Sequence, residues 1–271
     1  MDQSPETPSQ TGVDAAKESP QTRVILIGVG GATCSGKTTL AKHLNKILPD
    51  SVIIHQDDFA PPQELVPVHP VHQVQDWDAA PGAISWPRLI SFLRHVKESG
   101  ELPEDHRSHD HLNKQKAVPV AEEVADRLRA EFIALQEQIV KEKGQKIVCG
   151  LVDGFLLYWN RDVFDQLDVK FFLRVPHDVL KHRRHERHGY HTAEGSLWRD
   201  PPDYWENIVY PAYIDAHRDA FVNGDIEHGQ PNDKVPDLQL LEMTGLSMEE
   251  AVERCCGELR GAMGKMGSRD R

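Results

Sequence analysis

Val24-Ile25-Leu26-Ile27-Gly28-Val29-Gly30-Gly31-Ala32-Thr33-Cys34-Ser35-Gly36-Lys37-Thr38 is the stretch on which the fold turns. Its first half is apolar and rich in β-branched residues, which predicts a strand buried on both faces, as in a parallel sheet. From Gly31 to Thr38 the chain fits G-x-x-x-x-G-K-[ST], and residues 40–48 continue with helical character. Strand, glycine loop and helix in that order point successive backbone N–H groups at an anion, and the helix N-terminus adds positive potential. Gly31, Ser35, Gly36, Lys37, Thr38 and Thr39 are therefore the expected phosphate-contacting residues. Lys37 reaches for the β and γ phosphates of a nucleotide, and Thr38 offers its hydroxyl to a magnesium ion.

Working outward, apolar runs at 24–29, 51–55, 146–152, 168–174 and 237–242 alternate with helical patterns. The expectation is an α/β, P-loop NTPase fold: a five-stranded parallel sheet with helices on both faces and a helical lid. Ser85 and Pro87 open a helix over 86–98, and Ser247 with Glu250 forms a capping box at the last helix. Val120, Val124, Leu128, Phe132, Leu135 and Ile139 give 120–143 an amphipathic stripe. Residues 1–20 and 261–271 offer little to bury and read as disordered tails. That leaves 21–260 as one domain, with a helical insertion at 99–145 and a lid at 181–202.

The 271 residues are 39% hydrophobic, enough for the core of a single domain, and the formal net charge of −12 disfavours nonspecific nucleic-acid binding. Cys34, Cys149, Cys255 and Cys256 show no C-x-x-C spacing and read as reduced thiols of the cytoplasm, with the nucleus as the alternative. No apolar run is long enough to span a bilayer and the N-terminus lacks a signal-peptide core, so no membrane partner is expected. The chain reads as a monomer or weak dimer acting on small molecules.

Chemistry gathers at the ends of the expected strands. The second ends in His55-Gln56-Asp57-Asp58-Phe59, at the sheet edge where ligands bind. An acid there holds a metal shell or takes the proton of an attacking hydroxyl; the alternative is a solvated turn. The third ends in Asp153-Gly154, a Walker B-like arrangement that is also a common turn. After the fourth, Arg183, Arg184 and Arg187 share one helical turn, either to close over a triphosphate or as an exposed basic face. His182, His185, His188 and His191 recur every three residues, but neighbouring arginines disfavour zinc.

In this order, the phosphate loop, Gln56-Asp57-Asp58-Phe59, Trp77-Asp78, Asp153-Gly154-Phe155-Leu156-Leu157 and Arg183-Arg184 with Arg187 resemble the nicotinamide riboside kinases, within the wider uridine kinase and phosphoribulokinase group. The resemblance spans roughly 23–95 and 146–250. It implies transfer of the ATP γ-phosphoryl group to a riboside 5′-hydroxyl, with Mg2+. Asp57 is implied as the base and, with Thr38, a metal ligand, and Lys37 and Arg183 as catalytic. Arg183, Arg187, Thr244 and Gly245 are implied at ATP. Asp57, Asp58, Phe59, Trp77, Asp78, Arg184 and Tyr190 are implied at the riboside, Trp77 and Tyr190 sandwiching the ring and Asp78 with Arg184 gripping the ribose hydroxyls. Against this, Trp77 and Tyr190 also read as packing, and Asp78 as a helix cap.

Three departures stand out: the 99–145 stretch is longer than compact members need, 195–202 lengthens the lid, and Asp153 replaces a usual Glu. The competing readings are a uridine- or cytidine-type kinase and a nucleotide-hydrolysing switch. The guanine-specific N-K-x-D is absent, since Asn113-Lys114 is followed by Gln115-Lys116.

Overall fold

A computed structural model describes residues 19–113, 116–187, 189–192 and 194–266. In chain order the elements are β1 (Gln21–Gly31), α1 (Lys37–Ile47), β2 (Ser51–His55), α2 (Ala80–Ala83), α3 (Trp86–Ser99), α4 (Glu122–Lys143), β3 (Gln145–Gly154), α5 (Arg161–Phe164), β4 (Val169–Arg174), α6 (His177–Glu186), β5 (Tyr190–His191), β6 (Leu197–Trp198), α7 (Tyr210–His217), β7 (Leu238–Glu242) and α8 (Met248–Met266). Five strands form a parallel sheet in the order β2-β3-β1-β4-β7. From β1 the chain goes to one side of the sheet and later to the other, so a crevice opens at the C-terminal end of β1, between β3 and β4. The phosphate loop lies there.

Alternation along the strands feeds two cores. Ile25, Ile27, Val29, Phe171 and Leu173 pack beneath α1, α4 and α8, meeting Leu40, Leu44, Phe132, Val252 and Leu259. Leu26 and Phe172 face the opposite layer, with Leu89, Leu93, Val163, Phe221 and Tyr213. Burial on both faces is why the strands read as continuous apolar runs. Among the described residues no helix is long and apolar enough to cross a membrane.

Several boundaries differ from expectation. The strand expected at 24–29 begins at Gln21, because polar Gln21 and Thr22 still pair with Gln145 and Lys146 at the exposed end of the sheet. The expected insertion at 99–145 is two different things. The described residues of 101–119 are irregular apart from a short turn at Asp110–Leu112, whereas α4 is a full layer of the domain that buries Leu128, Phe132 and Ile139. The 181–202 stretch expected as a lid runs from α6 into the antiparallel pair β5 and β6. At the C-terminus α8 runs to Met266, through residues expected in the tail, because Met263 still reaches the core. The remaining tail positions, 1–18 and 267–271, lie outside the described residues.

If α4 is a layer of the domain, emptying its central position is costly. Phe132→Ala is expected to destabilise the protein by about 3–5 kcal/mol in denaturant unfolding, and an unchanged midpoint would show that α4 is an appendage.

Candidate active site

The phosphate loop is shaped by left-handed backbone. Gly31 has φ 133° and Gly36 φ 100°, with Cys34 also positive at 62°. Gly31 has no room for a side chain, since a Cβ would stand 2.4 Å from the carbonyl oxygen of Leu173 on β4. Gly36 sits at the N-terminus of α1, so the first-turn N–H groups, including those of Thr38 and Thr39, face the crevice mouth. Lys37 Nζ donates to the Ala32 carbonyl at 3.0 Å, holding the ammonium over the loop. The Ser35 hydroxyl is buried within the loop and lacks a protein partner.

Beside this loop two acids and two cations share one corner. Parallel register sets His55 opposite Asp153, and His55 Nδ1 lies 3.2 Å from Asp153 Oδ2. Burial works against charge on His55, but Asp153, with Asp110 and Asp58 behind it, prevails and lifts its pKa to about 9. Burial pushes Asp153 up, yet His55, Lys37 and a hydrogen bond with Thr38 together hold it below the ordinary aspartate value. Asp57 differs. Its carboxyl is solvent-accessible at the crevice mouth but crowded on its protein side, and that partial desolvation and the Asp153 charge push it up against the pull of Lys37, His55 and Arg187. Burial lowers Lys37, opposed by Asp153 and Asp57. Environments that drive two neighbouring carboxyls apart in this way separate a permanent anion from a group able to take a proton.

The oxygen donors here, the Thr38 hydroxyl and the carboxylates of Asp57 and Asp153, suit Mg2+, which binds through one or two carboxylates together with waters and phosphate. Among the described residues no group of three or more His, Cys, Asp or Glu side chains is arranged to hold a metal alone. Within the histidine series, His182 and His185 lie on the exposed side of α6, and His188 lies outside the described residues.

The two sequence motifs of acids are halves of one joint. Gln56, buried below Asp57, accepts from the Leu156 N–H at 2.8 Å, and Gly154 is small because a Cβ there would meet the Gln56 side chain at 2.5 Å. The short turn Gln56–Phe59 then sends successive side chains different ways. Asp57 faces the crevice. Asp58 and Phe59, both expected at the substrate, do not: Asp58 is buried toward the 101–119 segment, accepting from the His109 N–H at 3.0 Å, and Phe59 packs against Phe92 at 5.0 Å between ring centroids. A one-residue step in a tight turn rotates the side chain by about a third of a circle, so the three side chains meet different surroundings.

The other expected acceptor residues converge beneath the lid. Asp76 makes the turn that starts α2, accepting from the N–H groups of Asp78 and Ala79 at 3.1 and 2.8 Å. Asp78 is therefore not the cap. It is buried with Oδ2 unpartnered, and burial raises its pKa to about 6 although Arg184 acts in the opposite sense. Trp77 is buried with its indole N–H unpartnered, and its ring lies 5.7 Å from that of Trp198 on β6. Asp78 also lines a small cavity with Ala32, Thr33, Phe155 and Trp205, which joins this corner to the phosphate loop. The side chain of Tyr190 lies outside the described residues.

The three lid arginines part company. Arg183 donates to the Cys34 carbonyl at 3.2 Å, above the loop. Arg187 projects its charge onto Lys37 and Asp57. Arg184 is buried and makes a two-point bond with Asp200, 2.7 Å from Nε and 2.9 Å from Nη2, while reaching Thr33 Oγ1 at 3.1 Å. Thr244 and Gly245 form an exposed turn after β7. Met248, just beyond, comes within 3.6 Å of a Cβ built on Gly36, which sets that turn beside the loop. His55, Gln56 and Asp200 were not singled out from sequence. The first two adjoin a recognised acid pair, but Asp200 carries no local signal.

No family model matches the chain. A nicotinamide riboside kinase of Schizosaccharomyces pombe is 34% identical over 241 residues, spanning 89% of this chain and 98% of that protein. One from Saccharomyces cerevisiae is 32% identical, over 76% of this chain and 82% of its own length. Human nicotinamide riboside kinase 2 is 27% identical, over 74% and 70% respectively.

The His55–Asp153 pair carries a pH signature. A histidine raised from 6.5 to about 9 contributes stability that is fully present below the unfolded value and is lost as pH rises through the folded one. In metal-free buffer, the stability difference between the parent and His55→Asn is expected to shrink between about pH 6.5 and 9. A difference that stays constant across that window in denaturant unfolding would show that the pair is not formed.

Proposed function

The chain belongs to the nicotinamide riboside kinase family, and from that premise we propose how its own residues transfer the γ-phosphoryl group of ATP to the 5′-hydroxyl of nicotinamide riboside. The observation that carries the reading is the split pair of acids beside Lys37 at the mouth of a complete phosphate loop. Asp57, whose proton affinity is raised, takes the proton of the 5′-hydroxyl as its oxygen bonds to the γ phosphorus. The bond from that phosphorus to the bridging oxygen breaks, and ADP leaves with the electron pair, giving nicotinamide mononucleotide. Lys37 and the loop N–H groups hold the β and γ phosphates, and Arg183 and Arg187 close over them to offset charge developing in transfer. Thr38, Asp57 and Asp153 would hold Mg2+, which when bound neutralises phosphate charge and polarises the transferring group.

On the acceptor side, Asp78 receives the ribose hydroxyls, and Arg184 helps by its charge from beside it. Trp77 offers one wall for the ring, in keeping with the attraction of aromatic faces for a pyridinium cation. Tyr190 is assigned the facing wall from the lid strand β5, and Thr244 and Gly245 the adenine side.

ADP release with magnesium ATP is the direct test, across nicotinamide riboside, nicotinic acid riboside, uridine, cytidine and no acceptor, with product mass confirmed. Stimulation by nicotinamide riboside with formation of the mononucleotide is expected. Release without acceptor, or with uridine and cytidine alone, would refute the assignment. Asp57→Asn is expected to lower kcat by about 100-fold or more while ATP still binds, and full activity in that variant would remove Asp57 as the base. Lys37→Ala is expected to weaken both nucleotide binding and turnover, and normal turnover would take the loop lysine out of the mechanism.

A further inference from the structure

The lengthened stretch of lid at 195–202 ends in a set of contacts that reach the acceptor corner. Asp200 lies just beyond β6, and both its oxygens engage the Arg184 guanidinium, at 2.7 and 2.9 Å. The Arg184 side chain is 4% exposed and that of Asp200 23%, so the pair is shielded from water on the arginine side. Trp198 donates its indole N–H to Asp200 Oδ1 at 3.0 Å. The same indole stacks obliquely on Trp77, 5.7 Å between centroids, and on Tyr204, at 5.6 Å. Tyr204 in turn accepts from the Trp77 backbone N–H at 3.1 Å and donates to the Gln75 carbonyl at 2.9 Å. The lid is thus fastened to the segment that carries Asp78.

The consequence lies in which acid Arg184 chooses. Asp78 is buried and hydrogen-bonded through its carboxyl to Tyr204, with Oδ2 lacking a partner, and after burial itself Arg184 is the strongest influence on its charge. A guanidinium freed from Asp200 has that second carboxylate within its field, and fork-like pairing with it would occupy the oxygens that accept hydroxyls. Bidentate pairing with Asp200, together with the contact to Thr33 of the phosphate loop, keeps Arg184 turned away from that outcome. We propose that Asp200, held by Trp198, is a positioning residue for acceptor binding: it engages Arg184 so that Asp78 retains a carboxylate oxygen for the acceptor's hydroxyls. The inference rests on the reading of Asp78 as the acid that receives those hydroxyls, and the test separates the two.

Steady-state kinetics with nicotinamide riboside and magnesium ATP would compare the parent, Asp200→Asn, Asp78→Asn, the double variant and Trp198→Phe. Asp200→Asn is expected to raise the KM for the riboside about tenfold, on the scale of one charge-assisted hydrogen bond. The KM for ATP should stay within about twofold, since the nucleotide contacts are assigned to other residues. Because Asp200 acts through Asp78, the double variant should bind the riboside no worse than Asp78→Asn alone.

A riboside KM unchanged in Asp200→Asn, alongside a rise in Asp78→Asn, overturns the proposal and leaves the Asp78 reading standing. Equal rises for riboside and ATP, or additive effects in the double variant, also overturn it, as a general loosening of the lid would produce them. An Asp78→Asn variant with normal riboside KM overturns the reading of that acid and the proposal with it. Should Asp200→Asn fail to fold by circular dichroism, Trp198→Phe decides. It removes the indole donor while keeping a ring and is expected to raise riboside KM about threefold, with ATP unaffected, and no rise in that variant overturns the proposal.

Discussion

Two carboxylates and two cations crowded at the ends of β2, β3 and the phosphate loop set the terms for the rest of this molecule. Asp57 and Asp153 repel, Lys37 and His55 draw them together, and neither sign can be removed without leaving the other uncompensated. Such a cluster holds only if the backbone beneath it cannot yield. The parallel register that sets His55 across from Asp153, and the Gln56 amide that ties the end of β2 to Leu156, provide that backing. Gly154 exists to let Gln56 in. The two acidic motifs, distant in sequence, are one structural unit whose spacing is set by the sheet.

Much of this was legible before any coordinates, and for identifiable reasons. A phosphate loop demands left-handed backbone at fixed positions, so Gly31 and Gly36 announce it; doubly buried strands read as unbroken apolar runs. What escaped was information that does not reside in local pattern. Neighbouring Asp57 and Asp58 look equivalent in a motif, and only the tight turn decides that one faces the crevice and the other the 101–119 segment. In Asp76-Trp77-Asp78 the second acid reads as a helix cap, yet it is Asp76 whose carboxylate takes the turn N–H groups ahead of α2. β5 and β6 contain two residues each, too few for any periodicity to register. Asp200 matters through a partner sixteen positions earlier, a distance no pattern marks.

The 101–119 segment illustrates how an irregular stretch becomes structural through its attachments. His106 and His109 approach Asp58 at 3.9 and 3.4 Å, Asp110 pairs with Lys42 of α1 at 2.6 Å, and His43 meets the Val118 carbonyl at 2.8 Å. Farther along, Asn113 exchanges two hydrogen bonds with the backbone of His191 in β5, at 2.8 and 3.2 Å. One segment therefore touches the acidic turn, the helix that carries the phosphate loop and the lid. Ordering a long loop costs conformational entropy residue by residue, and these attachments are where that cost is offset.

At the acceptor corner the folded chain tolerates what a purely structural design would remove. Asp78 is a buried carboxyl whose charge is opposed by burial and by nearby Asp76 and Asp200 and favoured by Arg184 and a hydrogen bond with Tyr204, while Oδ2 finds no donor in the protein. A buried polar atom without a partner costs about 1–3 kcal/mol, and the Trp77 indole N–H beside it adds a second such cost. Arg184, the cation whose charge acts most strongly on Asp78, is engaged by Asp200 instead. Expense of this kind, concentrated at one corner and adjoining the phosphate loop, is what a site looks like when its hydrogen-bonding capacity is reserved for a ligand. If Asp78 receives the acceptor as proposed, a hydroxyl donating to it would recover the missing hydrogen bond on binding and turn part of that local cost into affinity.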